Sequence, residues 1–208
     1  MSHPLLYGFD LCTDTMTSLI DPARHRITKV GLSTSSGEEV YDGEEGEILH
    51  LVDHRLAALP PGILVSWQGS ILDFPLFVER ARRVGLECGL RLRPDHRPAP
   101  DSVLAGLPHP WCSDWYSHRH LELRRVYDAS NRWWNPMRSK LDPESMIPPA
   151  DDLARRNPAR DARLARVLAE RRWHQAKKFI DRMPERASWT PPSADDWGDD
   201  QQQRASNS

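Results

Sequence analysis

Three aspartates stand where folding could gather them: Asp10 closing a short apolar run, Asp73 opening an amphipathic stretch, and Asp161 near the start of another. Carboxylates brought to one end of a sheet repel each other, and hard divalent cations relieve that repulsion. Oxygen ligands select Mg2+ or Mn2+. Two such ions about 4 Å apart clamp the attacking and leaving oxygens of an in-line phosphoryl displacement. The chemistry this set permits is therefore phosphodiester hydrolysis. Each aspartate also has a plainer use, since Asp73 and Asp161 suit the positive end of a helix and Asp10 suits a turn.

Two other groupings could do chemistry. His118 and His120 lie two apart, with Cys112 and Asp114 near them, a set that could hold Zn2+ but that at a strand start more often reads as polar surface. Arg124, Arg125, Arg132, Arg138 and Lys140, interleaved with Tyr127, Trp133 and Trp134, suit a single-strand groove with cations on phosphates and rings under bases; a solvated loop has the same composition. Glu122, just before this stretch, reads as structural.

The elements that must position these residues can be read from periodicity. Leu5–Leu11, Arg26–Ser33 and Glu38–Tyr41 are short strand-forming runs joined by turns, which predicts an antiparallel meander. Glu45–Leu59 carries Ile48, Leu49, Leu51, Val52, Leu56 and Leu59 at mostly three- and four-residue spacings and stops at Pro60-Pro61-Gly62. Ile63–Trp67 is a continuous apolar run of the kind buried on both faces of a sheet. Asp73–Val84 returns to the helical period and ends at Gly85, and residues 91–118, with five prolines between Pro94 and Pro110, read as loop. His120–Tyr127 alternates as a fifth strand. Pro158 to about Arg182 is the clearest helix, capped by Asn157, with Leu164, Ala165, Leu168, Ala176 and Phe179 on the apolar face that Asp161 opens. The order β β β α β α β α implies an α/β mixed sheet of five strands, a meander followed by parallel strands, flanked by helices.

Composition bounds the setting. The 208 residues carry a formal net charge of -2, which hides an asymmetry: residues 1–90 hold 7 Lys+Arg against 13 Asp+Glu, residues 91–189 hold 20 against 13. An acidic front beside a basic back suits a protein that holds cations in one place and a polyanion in another. No apolar run approaches the roughly 18 residues of a membrane span, so no membrane partner is expected. The first residues lack a basic region followed by an apolar stretch, and the three widely spaced cysteines, Cys12, Cys88 and Cys112, form no CxxC; both point to reduced thiols in a cytoplasmic protein. Residues 187–208, acidic and rich in Pro, Ser and Gln, read as a disordered tail, leaving 1–186 as one domain.

The stretches YGFDLCTDT, ILVSWQGSILDFPLF and NPARDARLARVLAERRW, in this order, resemble the three motifs of the DnaQ-like (DEDD) 3′–5′ exonuclease family, which has a ribonuclease H-like fold. The resemblance covers roughly residues 4–175. Trp67, Gly69 and Pro75 match the frame of its second motif, the most specific of the three. It implies a metal-dependent exonuclease acting on single-stranded or frayed DNA or RNA ends with two Mg2+ or Mn2+ ions. By the same resemblance Asp10 would bridge both ions, Asp161 would help hold the nucleophile-side ion and Asp73 would support the leaving-group-side ion. Thr13, Trp67, Gln68, Gly69, Leu72, Asn157 and Arg160 would lie along the substrate.

Two departures bear on activity. Cys12 stands where the family has a glutamate, and a thiol is a soft ligand poorly suited to Mg2+. Asp14, two residues on, could lean in to replace it. Asn157 stands where the family has His or Tyr, and an amide cannot act as a general base. Gln68 and Leu72 likewise replace the family's Asn and Phe. The sequence thus admits two readings: a divergent exonuclease whose ions activate water without a protein base, or an exonuclease-like domain with impaired chemistry that binds nucleic acid or protein.

Overall fold

The computed structural model describes residues 4–14, 21–67, 69–94, 111–128 and 157–183. Seven strands form one mixed sheet: β1 (Leu6–Thr13), β2 (Ile27–Thr34), β3 (Gly37–Asp42), β4 (Ile63–Ser66), β5 (Leu90–Pro94), β6 (Trp111–Trp115) and β7 (His118–Glu122). Their spatial order is β3-β2-β1-β4-β7-β6-β5. The first three pair antiparallel as the expected meander, β1, β4 and β7 run parallel, and β6 and β5 return antiparallel. This mixed α/β architecture is compatible with a ribonuclease H-like fold.

The five strands expected become seven, because β5 and β6 fall in the stretch read as loop. In β5 Leu90 and Leu92 are buried while Arg91 and Arg93 are half-buried, a period-two signal that the flanking prolines obscured. The expected fifth strand is also shorter. It stops at Glu122, and Leu123–Asp128 turns into the short helix α3.

The other helices are α1 (Glu45–Ala58), α2 (Phe74–Arg83), α4 (Pro158–Arg171) and α5 (Trp173–Asp181). The Glu44 carboxylate starts α1 by accepting the Gly46 and Glu47 N–H groups at 2.8 and 3.4 Å. A single π-helical turn, Gly69–Asp73, precedes α2. The long C-terminal helix expected as one piece is two, interrupted at Arg172, whose backbone leaves helical geometry (φ -114°, ψ 29°).

β1 is an interior strand, buried along its whole length, and its alternation divides the core. Tyr7, Phe9 and Leu11 join one cluster with Ile48, Leu49, Val52 and Leu56 of α1 and Phe74 and Phe77 of α2. Leu6 joins the other with Ile63, Val65 and Trp67, Tyr127 of α3, Ala165 and Leu168 of α4 and Ala176 of α5. The face that α4 buries is made of small residues, Ala159, Ala162, Ala165 and Ala169 with Leu168, whereas Leu164 is only half-buried at its edge. That face sits on glycines. A Cβ on Gly8 would lie 1.9 Å from the Ala162 carbonyl oxygen, and one on Gly31 would lie 2.2 Å from the Pro158 carbonyl carbon. Small side chain against no side chain is what lets this helix close onto the sheet.

A buried ion pair ties α1 to α2. Glu45 and Arg80 are joined through two hydrogen bonds, Nε to Oε1 at 2.8 Å and Nη2 to Oε2. Glu45 Oε1 also accepts the Ile27 N–H at 2.7 Å, and Arg80 Nη1 donates to the Pro22 carbonyl at 2.8 Å. Both charges are thus fully engaged, which buried ions require.

Candidate functional site

In a sheet of this kind ligands bind beyond the carboxyl ends of the parallel strands, where the order of connection reverses. Here the reversal falls between β1, whose chain continues to β2 on one side, and β4 on the other. Register places Gly8 opposite Val65 and Val65 opposite Leu121, so Asp10, Trp67 and Glu122 all come at the same end of three adjacent strands.

Asp10 is 3 % exposed and shares a face of β1 with Gly8 and Cys12. Its partner across the antiparallel ladder is Gly31. α4 rests on Gly31 through Pro158 and Ala159 and on Gly8 through Ala162, and the half-buried Asp161 lies in the turn between those two contacts. Asp73, 5 % exposed, closes the π-helical turn, which packs against β1. It stands at the N-terminus of α2 without capping it through its side chain, so helix capping is not its use. β1 thus contacts both elements that carry the other two aspartates.

The remaining expected residues are distributed as follows. Thr13 is buried at the end of β1, where the register with β2 shifts. Trp67 is 2 % exposed and packs on Tyr127 with ring centroids 5.9 Å apart, a core position in which no face is open to a base. Gly69 is required by packing, since a Cβ there would lie 2.1 Å from Ser66 Oγ. Leu72 is half-buried on the π-helical turn, and Arg160 is exposed on the first turn of α4. Gln68 lies outside the described residues, as do Arg132, Trp133, Trp134, Arg138 and Lys140 of the basic–aromatic stretch and the tail 187–208.

The departures are met in the same place. Cys12 is buried at 4 % exposure beside Asp10 on its face of β1. Asp14 does not supply the carboxylate that the resemblance implies at position 12: it is exposed, and its Oδ1 accepts the Arg26 N–H at 3.1 Å. Asn157 caps α4, its Oδ1 accepting the Ala159 N–H at 3.1 Å. Among the described residues no three His, Cys, Asp or Glu side chains are gathered closely enough to hold a metal ion. With a thiol in place of a carboxylate and Asp14 turned elsewhere, this donor set does not fit a resident pair of Mg2+ or Mn2+ ions.

His118 and His120 are not polar surface. Both are buried, His118 Nε2 lies 2.8 Å from the Leu56 carbonyl, and His120 Nε2 lies 2.8 Å from Ser66 Oγ. Burial pushes the His120 imidazole down to about 3, helped by the nearby Arg125 charge, so the ring is neutral at any physiological pH.

What the sequence did not single out is how the π-helical turn is fastened. The Gly69 N–H donates to Ser66 Oγ at 2.9 Å, and the Ser70 N–H and O–H both donate to Glu122 Oε2, at 3.0 and 2.8 Å. Glu122 Oε1 accepts the Arg124 N–H at 3.3 Å. Burial pushes the Glu122 carboxyl up to about 7, and these hydrogen bonds together with Arg125 only partly offset it. The signal in the sequence is slight: Ser66 and Ser70 flank the site, four apart, and Glu122 follows an alternating run.

No family model matches the chain, and no curated protein matches it. Among solved structures it is similar to the family B DNA polymerase from the hyperthermophilic archaeon Pyrobaculum calidifontis, with a TM-score of 0.54 and 18 % identity over 82 % of this chain. The chain spans only 24 % of the length of that polymerase, and the likeness is one of fold.

Proposed function

We propose that this chain is a nucleic-acid-binding module of exonuclease-like architecture that takes single-stranded or frayed DNA or RNA ends and whose phosphodiester hydrolysis is impaired. The observation that carries this reading is Cys12, a buried thiol beside Asp10 where a hard carboxylate would be needed. Asn157 supports it, because its side chain is spent on capping α4 and has no proton to exchange near neutrality. The likeness in fold to a DNA polymerase supports a nucleic-acid-related role. Arg160 and Arg163, exposed on the first turns of α4, are in reach of a backbone entering at Asp161.

A second reading, a working metal-dependent 3′–5′ exonuclease, is supported by the seating of α4, which carries Asp161, on Gly8 and on Gly31, the ladder partner of Asp10. One experiment separates the two. Single-stranded DNA and RNA labelled at the 3′ end are incubated in Mg2+ or Mn2+ with wild type, Asp10→Ala and Cys12→Glu, and both binding and nucleotide release are measured. Impaired chemistry predicts binding without release in wild type and a gain of at least about tenfold in Cys12→Glu, the least that restoring a lost metal ligand should return. Release by wild type that disappears in Asp10→Ala establishes the exonuclease instead. Failure of every form to bind either strand refutes both.

A further inference from the structure

The π-helical turn Gly69–Asp73 is an unusual element to find opening a helix, since such turns are rare and concentrate at functional sites. Here it carries Leu72 and Asp73 to the end of β1. Its own first two residues are tied down from neighbouring strands. Gly69 is held through Ser66, which is in turn bonded to His120; Ser70 is held directly by Glu122, 52 residues away in sequence. All four of these polar side chains and Gly69 are buried.

Glu122 is an expensive choice for that task. A buried amide could accept from Ser70 without the cost of desolvating a carboxylate, and an apolar residue would avoid the cost entirely. What the carboxylate supplies is one oxygen receiving both the main-chain and the side-chain donor of Ser70, which fixes the residue's backbone and rotamer together. Its second oxygen takes the Arg124 N–H and so ties the same group to the start of α3. The strap therefore joins the end of β7, the start of α3 and the turn that presents Asp73.

We propose that Glu122 is a positioning residue for the end-binding site, acting through Ser70 to set where Leu72 and Asp73 stand relative to Asp10. The inference rests on the reading given under Proposed function and deepens it. Glu122 does not touch the nucleic acid. It holds the turn that does.

The test compares Glu122→Leu, which removes both acceptors, with Glu122→Gln, which keeps an oxygen in place, and with Ser70→Ala, which deletes only the hydroxyl. Two quantities are read on the full chain: hydrogen exchange at the amides of residues 71–73, and binding of 3′-labelled single-stranded DNA and RNA by anisotropy. Leaving a buried donor without its partner predicts exchange at 71–73 faster by about tenfold or more in Glu122→Leu, with the amides of β1 unchanged, and binding weaker by a similar factor. Glu122→Gln restores both to within about threefold of wild type. Ser70→Ala loosens the same amides by a smaller factor, and decides the matter if Glu122→Leu does not fold.

Exchange at 71–73 unaltered in Glu122→Leu or Ser70→Ala overturns the proposal. So does a Glu122→Gln variant as damaged as Glu122→Leu, which would assign the role to charge. If wild type binds neither strand, the functional reading fails on that result alone. The exchange arm then still shows whether Glu122 holds the turn, and binding by wild type that Glu122→Leu leaves intact overturns its link to the site.

Discussion

His120 and Glu122 sit two residues apart on β7 and oppose each other in pH dependence. Glu122 has its carboxyl raised from the ordinary 4.5 to about 7, so the native chain keeps a proton that the unfolded chain has released. Its contribution to stability is complete below about pH 4.5 and is lost as pH rises to about 7. His120 has its imidazole lowered from 6.5 to about 3, so the unfolded chain takes up a proton that the native chain refuses. Its contribution is complete above about pH 6.5 and is lost as pH falls toward about 3. At about 1.4 kcal/mol per pH unit, the full spans are about 3 kcal/mol for Glu122 and about 5 kcal/mol for His120. Between about pH 4.5 and 6.5 the two slopes cancel.

Substitution should expose each slope in turn. Glu122→Gln removes one and keeps an acceptor for Ser70; His120→Gln removes the other and keeps a polar atom near Ser66 Oγ. Urea denaturation followed by circular dichroism, at intervals from about pH 4.5 to about pH 7.5, gives each variant's stability relative to wild type. Relative to wild type, Glu122→Gln should gain about 3 kcal/mol across this range as pH rises. His120→Gln should lose a similar amount between about pH 4.5 and 6.5, since it lacks the term that grows with pH in wild type. Taking differences cancels the titration of every other carboxylate. Curves that stay parallel to wild type in both variants would refute the reasoning, because they would mean that neither side chain is buried in the protonation state assigned to it.

Three further outcomes follow from packing. Gly31→Ala places a methyl 2.2 Å from the Pro158 carbonyl carbon, and should destabilise the chain by about 3 kcal/mol or more, read by urea denaturation, because backbone must move to admit it. Arg80→Met leaves the Glu45 carboxylate buried without its cation and should cost about 3–5 kcal/mol, with part recovered when Glu45→Gln is added. Asn157→Ala removes the cap of α4 and should cost about 1 kcal/mol in the same assay, whereas Asn157→Asp should cost nothing measurable.

Much of the architecture was legible because its signals are local. The meander, α1 and β4 follow from periodicity and from the turns that bound them, and α2 differs only in its opening. That opening is a π-helical turn, stabilised by contacts from residues more than fifty positions away, which no local pattern encodes. β5 and β6 escaped for a related reason. Each is short, lies beside prolines, and becomes a strand through pairing with its neighbour. The histidines of β7 show how context overrides residue type: His-x-His reads as surface or metal ligand, yet both imidazoles find acceptors or donors inside the core. In α4 the informative residues were the alanines rather than the larger apolar side chains, because the contact that matters there is with glycines.

The elements around the candidate site are held in place by residues other than its three aspartates, and this bears on what Cys12 and Asn157 alter. Gly8 and Gly31 seat α4; Glu122 and Ser66 fasten the π-helical turn; Glu45 and Arg80 join α1 to α2. None of these is among Asp10, Asp73 and Asp161. A thiol at position 12 therefore leaves the geometry of the walls intact while altering what they can hold, and an amide at 157 even strengthens the helix that carries Asp161 by capping it. Placing a carboxylate at position 12 then leaves those supports untouched. It crowds a buried position and adds a negative charge beside Asp10, both unfavourable unless a cation binds. Cation binding would return about 2.7 kcal/mol at a hundredfold excess over its dissociation constant. Stabilisation of Cys12→Glu by Mn2+ that wild type does not share would thus show that one side chain decides cation binding on this scaffold.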